Sequence, residues 1–230
     1  MSTTIAETHR LAFDCETLSR REGVGPGLLD GNAVNEAFEE VMAMTNIRWG
    51  VNSIVDAGGD ITEVYCGDPT ASHRAACEAY RAAHSIQISE RRPLVIAGSG
   101  GSPLDVNLIQ AHKSLETASK ACSPGGTIYF VAECREGIGR GDMLEWFEAG
   151  SSRNLAERLC NNYKVNGQTA WSILKKSEEF DIRILTELSD EVLEKLRFKR
   201  TDLDEIEKAA LANGPGYIIP FGSGLDIQYH

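Results

Sequence analysis

The apolar positions of this chain follow two different rhythms, and the change falls near residue 91. Ahead of it, residues 1–31 show no sustained period. Within them, Arg20-Arg21-Glu22-Gly23-Val24-Gly25-Pro26-Gly27 reads as loop, because glycine and proline break helical and strand patterns alike. Residues 33–44 then place Phe38, Val41 and Met42 on one face of an amphipathic helix. Two apolar runs, 49–57 and 61–66, flank Gly58-Gly59-Asp60, whose tolerance of positive φ predicts a β-hairpin. Asp68-Pro69 opens the next helix, with Asp68 as N-cap and Pro69 in the first turn, and the pattern runs to about His84. Arg91-Arg92-Pro93 marks the expected boundary between a smaller α+β segment, 1–90, and a second domain, 91–230.

Past that boundary, short apolar strands alternate with longer helical stretches. Strands are predicted at 94–97, at 127–132 after the Gly125-Gly126 turn, at 182–188 and at 217–221. Helices are predicted at 105–122, 142–161, 168–178, 189–196 and 202–212, the last two with Ser189 and Thr201 as N-caps. This order predicts an α/β fold: a Rossmann-like parallel sheet covered on both faces.

Composition narrows the function classes. A net charge of −11 over 230 residues repels phosphate backbones and anionic lipids, so neither nucleic acid nor a membrane is expected as partner. No apolar run approaches the ~20 residues that span a bilayer, and Ser-Thr-Thr-Ile-Ala-Glu after Met1 has no leader pattern. Cys15, Cys66, Cys77, Cys122, Cys134 and Cys160 contain no C-x-x-C pair. They read as buried thiols, which places the protein in the cytoplasm.

The strand at 94–97 runs straight into Gly98-Ser99-Gly100-Gly101-Ser102-Pro103 and a helix. Glycines allow a tight turn and close approach to backbone N–H groups. Ser102 as N-cap, Pro103 in the first turn and Asp105 as capping-box partner would start the helix at once. Its N-terminus contributes roughly half a positive charge, so a carboxylate, phosphate or sulfate is the expected ligand. A purely structural βα turn has the same pattern. On the helix, Leu108, Ala111, Leu115, Ala118 and Cys122 form the packed face, and Gln110 and Lys113, three apart, lie together away from it. An amide that orients and an ammonium that neutralises suit a carboxylate; a solvated polar face is the alternative. A dinucleotide fingerprint breaks at Pro103, where a third glycine belongs, and Glu133 lies too far along.

The stretch from Gly101-Ser102-Pro103-Leu104-Asp105 through Gln110-Ala111-His112-Lys113, then Gly125-Gly126 and Val131-Ala132-Glu133-Cys134-Arg135-Glu136-Gly137-Ile138-Gly139, resembles the nickel-dependent lactate racemase family. Leu29-Asp30-Gly31-Asn32 and Val64-Tyr65-Cys66-Gly67-Asp68-Pro69 resemble it as well. The resemblance implies a two-domain α/β enzyme that interconverts 2-hydroxy acid stereoisomers with a nickel-pincer nucleotide. It assigns Gln110 and Lys113 to the substrate, Gly98, Gly100 and Gly101 to cofactor contact, and His9, in Thr4-Ile5-Ala6-Glu7-Thr8-His9, to the nickel. Trp171 is an aromatic lid on the cofactor in this reading, or a core tryptophan.

The chain departs from the family where the first half should be. The lysine that tethers the cofactor and the acid/base histidines have no counterpart; His73, His84, His112 and His230 do not match them, and His112 lies nearer the packed side. Asn32-Ala33 replaces a usual Asn-Pro, and Leu104 a common lysine. The expectation is therefore the C-terminal half of a racemase, acting on a small 2-hydroxy acid with a partner that supplies the N-terminal half, or as a homo-oligomer. A non-catalytic anion-binding module and a nicotinamide-dependent oxidoreductase are the alternatives.

Overall fold

The computed structural model describes residues 3–56, 58–212 and 214–229. The chain divides into two compact units, Met1–Ser85 and Ile86–His230.

In the first unit, residues expected to be irregular form helix α1 (Thr3–Arg10) and a small ribbon of β1 (Phe13–Asp14) with β2 (Ser19–Arg20). Strands of two residues are too short to leave a period in the sequence. Helix α2 (Ala33–Ala43) follows the predicted span and is capped by Asn32, whose side chain accepts from the N–H groups of Val34 and Asn35. Its apolar face is another matter: α2 contains no buried residue, and Phe38 is exposed. The hairpin forms as predicted, β3 (Gly50–Val55) antiparallel to β4 (Ile61–Gly67), while position 57, the expected end of its first strand, lies outside the described residues. Helix α3 (Pro69–His84) starts as predicted, Asp68 accepting from the Ala71 N–H with Pro69 in the first turn. It packs on β3: a Cβ at Gly50 would meet Pro69 Cα at 3.0 Å, and Asn52 donates to Ser72 Oγ at 3.1 Å. Arg74 ties α3 to Asp30 and Glu39, at 2.7 and 2.9 Å.

The second unit holds the main core. Strands β5 (Ser85–Ile88) and β6 (Arg92–Gly98) lead to helix α4 (Leu108–Ala121), strand β7 (Cys122–Val131), a 3-10 helix (Gly141–Ala149), helices α5 (Ser152–Asn161) and α6 (Val165–Glu179), and strand β8 (Asp181–Leu185). Helix α7 (Asp190–Leu196), strand β9 (Lys199–Arg200), helix α8 (Leu203–Ala212) and strands β10 (Tyr217–Ile219) and β11 (Asp226–Tyr229) complete it. The order β10-β6-β7-β8-β9 is parallel throughout, as the alternation predicts. Both faces are covered. Leu94 and Tyr129 pack with Ile206 and Ala209 of α8 on one side. On the other, Val95, Ala97, Ile128 and Phe130 are fully buried, as are Leu108, Ala111, Leu115 and Ala118 on the packed face of α4.

Several boundaries move. Arg92 and Pro93 belong to β6 rather than to a linker, and the pairing with β7 shifts register between Arg92 and Leu94, which absorbs the N–H that Pro93 lacks. The predicted helix 142–161 is two elements, because Gly150 turns the chain at φ +75° and Ser151 caps α5 anew. Asp202, not Thr201, caps α8 by accepting from the Glu205 N–H. The β5–β11 ribbon was not predicted. The cysteines are not uniformly buried: Cys122 and Cys134 are, Cys66 is exposed and Cys77 is half-buried. Among the described residues no helix is long and apolar enough to cross a membrane.

Helices α4 and α6 are joined through a buried polar cluster. Lys176 pairs with Glu116 at 2.8 Å and donates to Ser172 Oγ at 2.7 Å, and Ser172 donates to Glu116. His112 lies on the same flank of α4, its Nδ1 donating to the Ile109 carbonyl at 2.5 Å. Burial pushes its imidazole below the usual histidine value, with nearby Glu116 acting against that and Lys176 for it. The unfolded chain therefore takes up this proton first, so this contribution to stability is intact above about pH 6.5 and falls as pH drops below it, by at most ~1.4 kcal/mol per pH unit. Urea denaturation from pH 7.5 to 5 is expected to show that loss in the native sequence and a flatter profile in His112→Gln.

Candidate functional site

The parallel order fixes where a ligand would sit. From β6 the sheet advances through β7 and β8 on one side, while β10 returns to the other, so the strand order reverses between β6 and β10. The crevice outside the carboxyl ends of strands at such a reversal is the usual ligand position in α/β sheets. Here it is occupied by the glycine loop.

The three glycines have three different jobs. A Cβ on Gly98 would lie 2.7 Å from the Pro220 carbonyl oxygen, so Gly98 exists to let the exit of β10 approach. Gly100, at φ +96°, lies against the Phe221 and Leu104 side chains, which a Cβ there would meet at 3.0 and 3.1 Å. Gly101, at φ +78°, has open space around it and is the glycine best placed for a ligand to approach the backbone.

The helix does not start where expected. Ser102-Pro103 is a cis peptide within a turn, closed by the Leu104 N–H donating to Gly101 O at 2.7 Å. Asn107 is the true N-cap of α4, its Oδ1 accepting from the Gln110 N–H at 3.1 Å. Two N–H groups of the first turn are thereby used, since Leu108 donates to Gly137 O at 3.0 Å. The first turn of α4 therefore has fewer N–H groups left to offer a ligand.

Asp105, expected as a capping residue, instead anchors the loop. It is 7% exposed; its Oδ2 accepts from the Glu133 N–H at 3.2 Å and its carbonyl from the Cys134 N–H at 2.9 Å. This carboxylate joins the exits of β6 and β7. Its Oδ1, like the Oγ of buried Ser99, has no hydrogen-bond partner. Cys134, at φ +55°, is buried beside it, and burial pushes its thiol up to about 12. Arg135 donates to Ser102 Oγ at 3.3 Å and brings a guanidinium to the loop. Sequence reasoning missed both roles: Asp105 mimics a cap, and a single arginine after a strand carries no pattern.

Gln110 and Lys113 come together as predicted. Gln110 is half-buried, Lys113 is exposed, and Lys113 Nζ donates to Gln110 Oε1 at 2.9 Å. That bond aims the ammonium and leaves the amide N–H₂ as a donor beside it. Trp171, in α6, is 5% exposed and carries Lys175 Nζ 5.3 Å above its ring, which leaves little face for a flat cofactor. His9, in the first unit, lies edge-on to Phe38 at 6.3 Å. Among the described residues no group of three or more His, Cys, Asp or Glu could hold a metal ion. His73 sits 3.5 Å from Cys77 Sγ, and His84 stacks on Tyr80; His230 lies outside the described residues.

Comparison with known proteins adds an independent result. The model of the lactate racemase C-terminal domain matches residues 88–212. The lactate racemase of Thermoanaerobacterium thermosaccharolyticum is 26% identical over 138 residues, 60% of this chain and 32% of that protein. The lactate racemase of Lactiplantibacillus plantarum is 28% identical over 113 residues, 49% of this chain and 26% of that protein. The chain thus matches about a third or less of each curated relative. The apoprotein structure of the Thermoanaerobacterium enzyme superposes with a TM-score of 0.82 at 20% identity, covering 97% of this chain and 55% of that one. A Thermotoga maritima protein superposes with a TM-score of 0.65 at 16% identity, covering 86% and 53%.

The glycine assignments can be separated by stability. Gly98→Ala forces a Cβ onto a carbonyl oxygen and is expected to cost about 1–3 kcal/mol in urea denaturation. Gly101→Ala, strained only by its φ, is expected to cost about 1 kcal/mol.

Proposed function

Since the chain belongs to the lactate racemase family through its C-terminal domain, we propose that it is the substrate-carboxylate-binding part of a 2-hydroxy acid racemase or epimerase, completed by a polypeptide that supplies the remaining groups. The observation that carries this reading is the Lys113–Gln110 pair, held by a hydrogen bond at the start of α4 and at the reversal of strand order. The ammonium neutralises a carboxylate, the amide donates a second hydrogen bond, and the Gly101 backbone lies open nearby in sequence. Arg135 adds a second cation at the loop.

The residues present do not fit the whole of the implied nickel-pincer nucleotide. The described residues provide no metal-binding cluster, and His9 is a single nitrogen donor. The nucleotide, when bound, would supply the hydride chemistry at the substrate α-carbon. What this chain offers is binding and orientation: Lys113 and Gln110 fix the carboxylate, and Asp105 holds the loop that carries Gly101. A non-catalytic anion-binding module is the second reading, and it uses the same Lys113–Gln110 pair without turnover.

Calorimetry with lactate tests the shared part of both readings. Lys113→Ala is expected to weaken binding by about 1.5–3 kcal/mol, the range for a hydrogen bond to a charged group. An unchanged affinity would reduce Lys113 to a solvated surface residue. Racemisation in the presence of nickel-pincer nucleotide and the completing polypeptide separates the enzyme from the module.

A further inference from the structure

The segment after β10 ties the glycine loop to helix α4 and brings an aromatic ring to the place where they meet. On α4, Gln110, Ser114 and Thr117 are spaced i, i+4 and i+7, so they form one stripe. Residues 222–225 run along the far part of that stripe. Thr117 Oγ1 donates to Gly222 O at 2.8 Å, and Leu225 O lies 3.2 Å from the same hydroxyl. Ser114 Oγ and Ser223 Oγ are hydrogen-bonded at 2.7 Å, and a Cβ on Gly222 would meet Ser114 Cβ at 2.9 Å. The same segment also holds the loop: Ser223 Oγ donates to Ser99 O at 3.3 Å, and the Phe221 ring lies against Gly100. Phe221 is therefore fixed beside the loop, at the end of the segment nearer the start of α4.

Leu104 meets it there. A Cβ on Gly100 would lie 3.0 Å from Phe221 Cδ1 and 3.1 Å from Leu104 Cδ1, so two apolar side chains converge on one backbone position, next to the open Gly101. Side chains that only fill the core are covered, and Leu108, Leu115 and Phe130 are fully buried. Leu104 is 41% exposed and Phe221 46%. An apolar pair with one side against the glycine loop and the other in water is a wall with an open face.

We propose that this wall receives the α-substituent of the hydroxy acid and selects substrates whose substituent is apolar and larger than methyl. The inference rests on the reading of Lys113 and Gln110 as the carboxylate site. With the carboxylate at that pair, a substituent turned toward the loop meets Phe221 and Leu104, whose side chains offer no polar atom to a hydroxyl or a second carboxylate. An apolar substituent and the wall leave water together, whereas a polar one would give up its hydration without a partner. Arg135 is the competing feature, since its guanidinium reaches Ser102 Oγ at 3.3 Å and suits a second carboxylate. The wall outweighs it because two distant stretches, 98–104 and 220–223, are joined to build it, while Arg135 is an exposed side chain.

Calorimetry on the full chain with lactate, 2-hydroxy-4-methylpentanoate, 3-phenyllactate and malate tests the proposal. The two apolar acids are expected to bind about tenfold more tightly than lactate, the low end for added carbons in an apolar site, and malate no more tightly than lactate. Phe221→Ala and Leu104→Ala are each expected to reduce that ratio to about threefold or less, and Phe221→Leu to keep most of it. Lys113→Ala is expected to weaken all four acids and to preserve the ratio. Thermal midpoints check that each variant folds, and Leu104→Ala carries the test if Phe221→Ala loosens the segment. Lys113-dependent binding with equal affinities, a ratio indifferent to both alanine changes, or malate bound more tightly than the apolar acids overturns the wall and leaves the carboxylate reading standing. A preference that needs Phe221 but is accompanied by no effect of Lys113→Ala keeps the wall and removes that reading. Binding of none of the four acids overturns both.

Discussion

The contact on which the candidate site depends is backbone against backbone: the Pro220 carbonyl oxygen resting where a side chain of Gly98 would be. It brings the exit of β10 beside the exit of β6 at the point where strand order reverses. The loop after Gly98 must then leave the sheet, and Asp105 catches it by accepting the Glu133 N–H. With the loop fixed, Asn107 caps α4, and Gln110 and Lys113 emerge in the first two turns. One close approach thus sets the origin of the helix that carries the polar pair. A buried carboxylate used in this way is costly unless its lone pairs are met, and only one of its two oxygens has a partner. The position is held by the chain on both sides of it rather than by the strength of a single bond.

The two units solve the problem of burial unequally. In the second, strands and helices alternate, so each strand has a helix to cover it, and Val95, Ala97, Phe130 and Ile184 lose all contact with water. In the first, buried apolar residues are few among those described: Ala12, Phe13, Ile54, Ala76. Its cohesion leans on polar ties such as Arg74 to Asp30 and Glu39, and exposed pairs of that kind contribute little each. Helix α2 has no buried residue and one face of the hairpin is exposed, so in this unit apolar patterning and burial part company.

This also explains what could be read from the sequence. The parallel sheet, the hairpin around Gly58-Gly59-Asp60, the Asp68-Pro69 helix start and the Gln110–Lys113 neighbours depend on local spacing, and spacing is visible in one dimension. The start of α4 was misplaced because Ser102-Pro103-Leu104-Asp105 has every local mark of a capped helix, while the true cap, Asn107, is selected by contacts from residues 133–139. A Cβ at Gly139 would strike the Asn107 side chain at 2.9 Å, a constraint between residues 32 positions apart. The face of α2 was legible as apolar, but its burial was not, because periodicity reports which side is apolar and not whether anything lies against it.

The framework of the domain and its polar pair therefore rest on different residues. The sheet, its glycines and the Asp105 latch build the domain that the family match spans. Lys113, Gln110 and Arg135 bear little of the core: Lys113 and Arg135 are exposed and Gln110 is half-buried. A carboxylate bound there would be neutralised by the ammonium and oriented by the amide that the Lys113–Gln110 hydrogen bond holds together. Orientation without a reactive group is half of a catalytic act, since binding a substrate well does not speed its reaction unless a second set of groups meets the transition state.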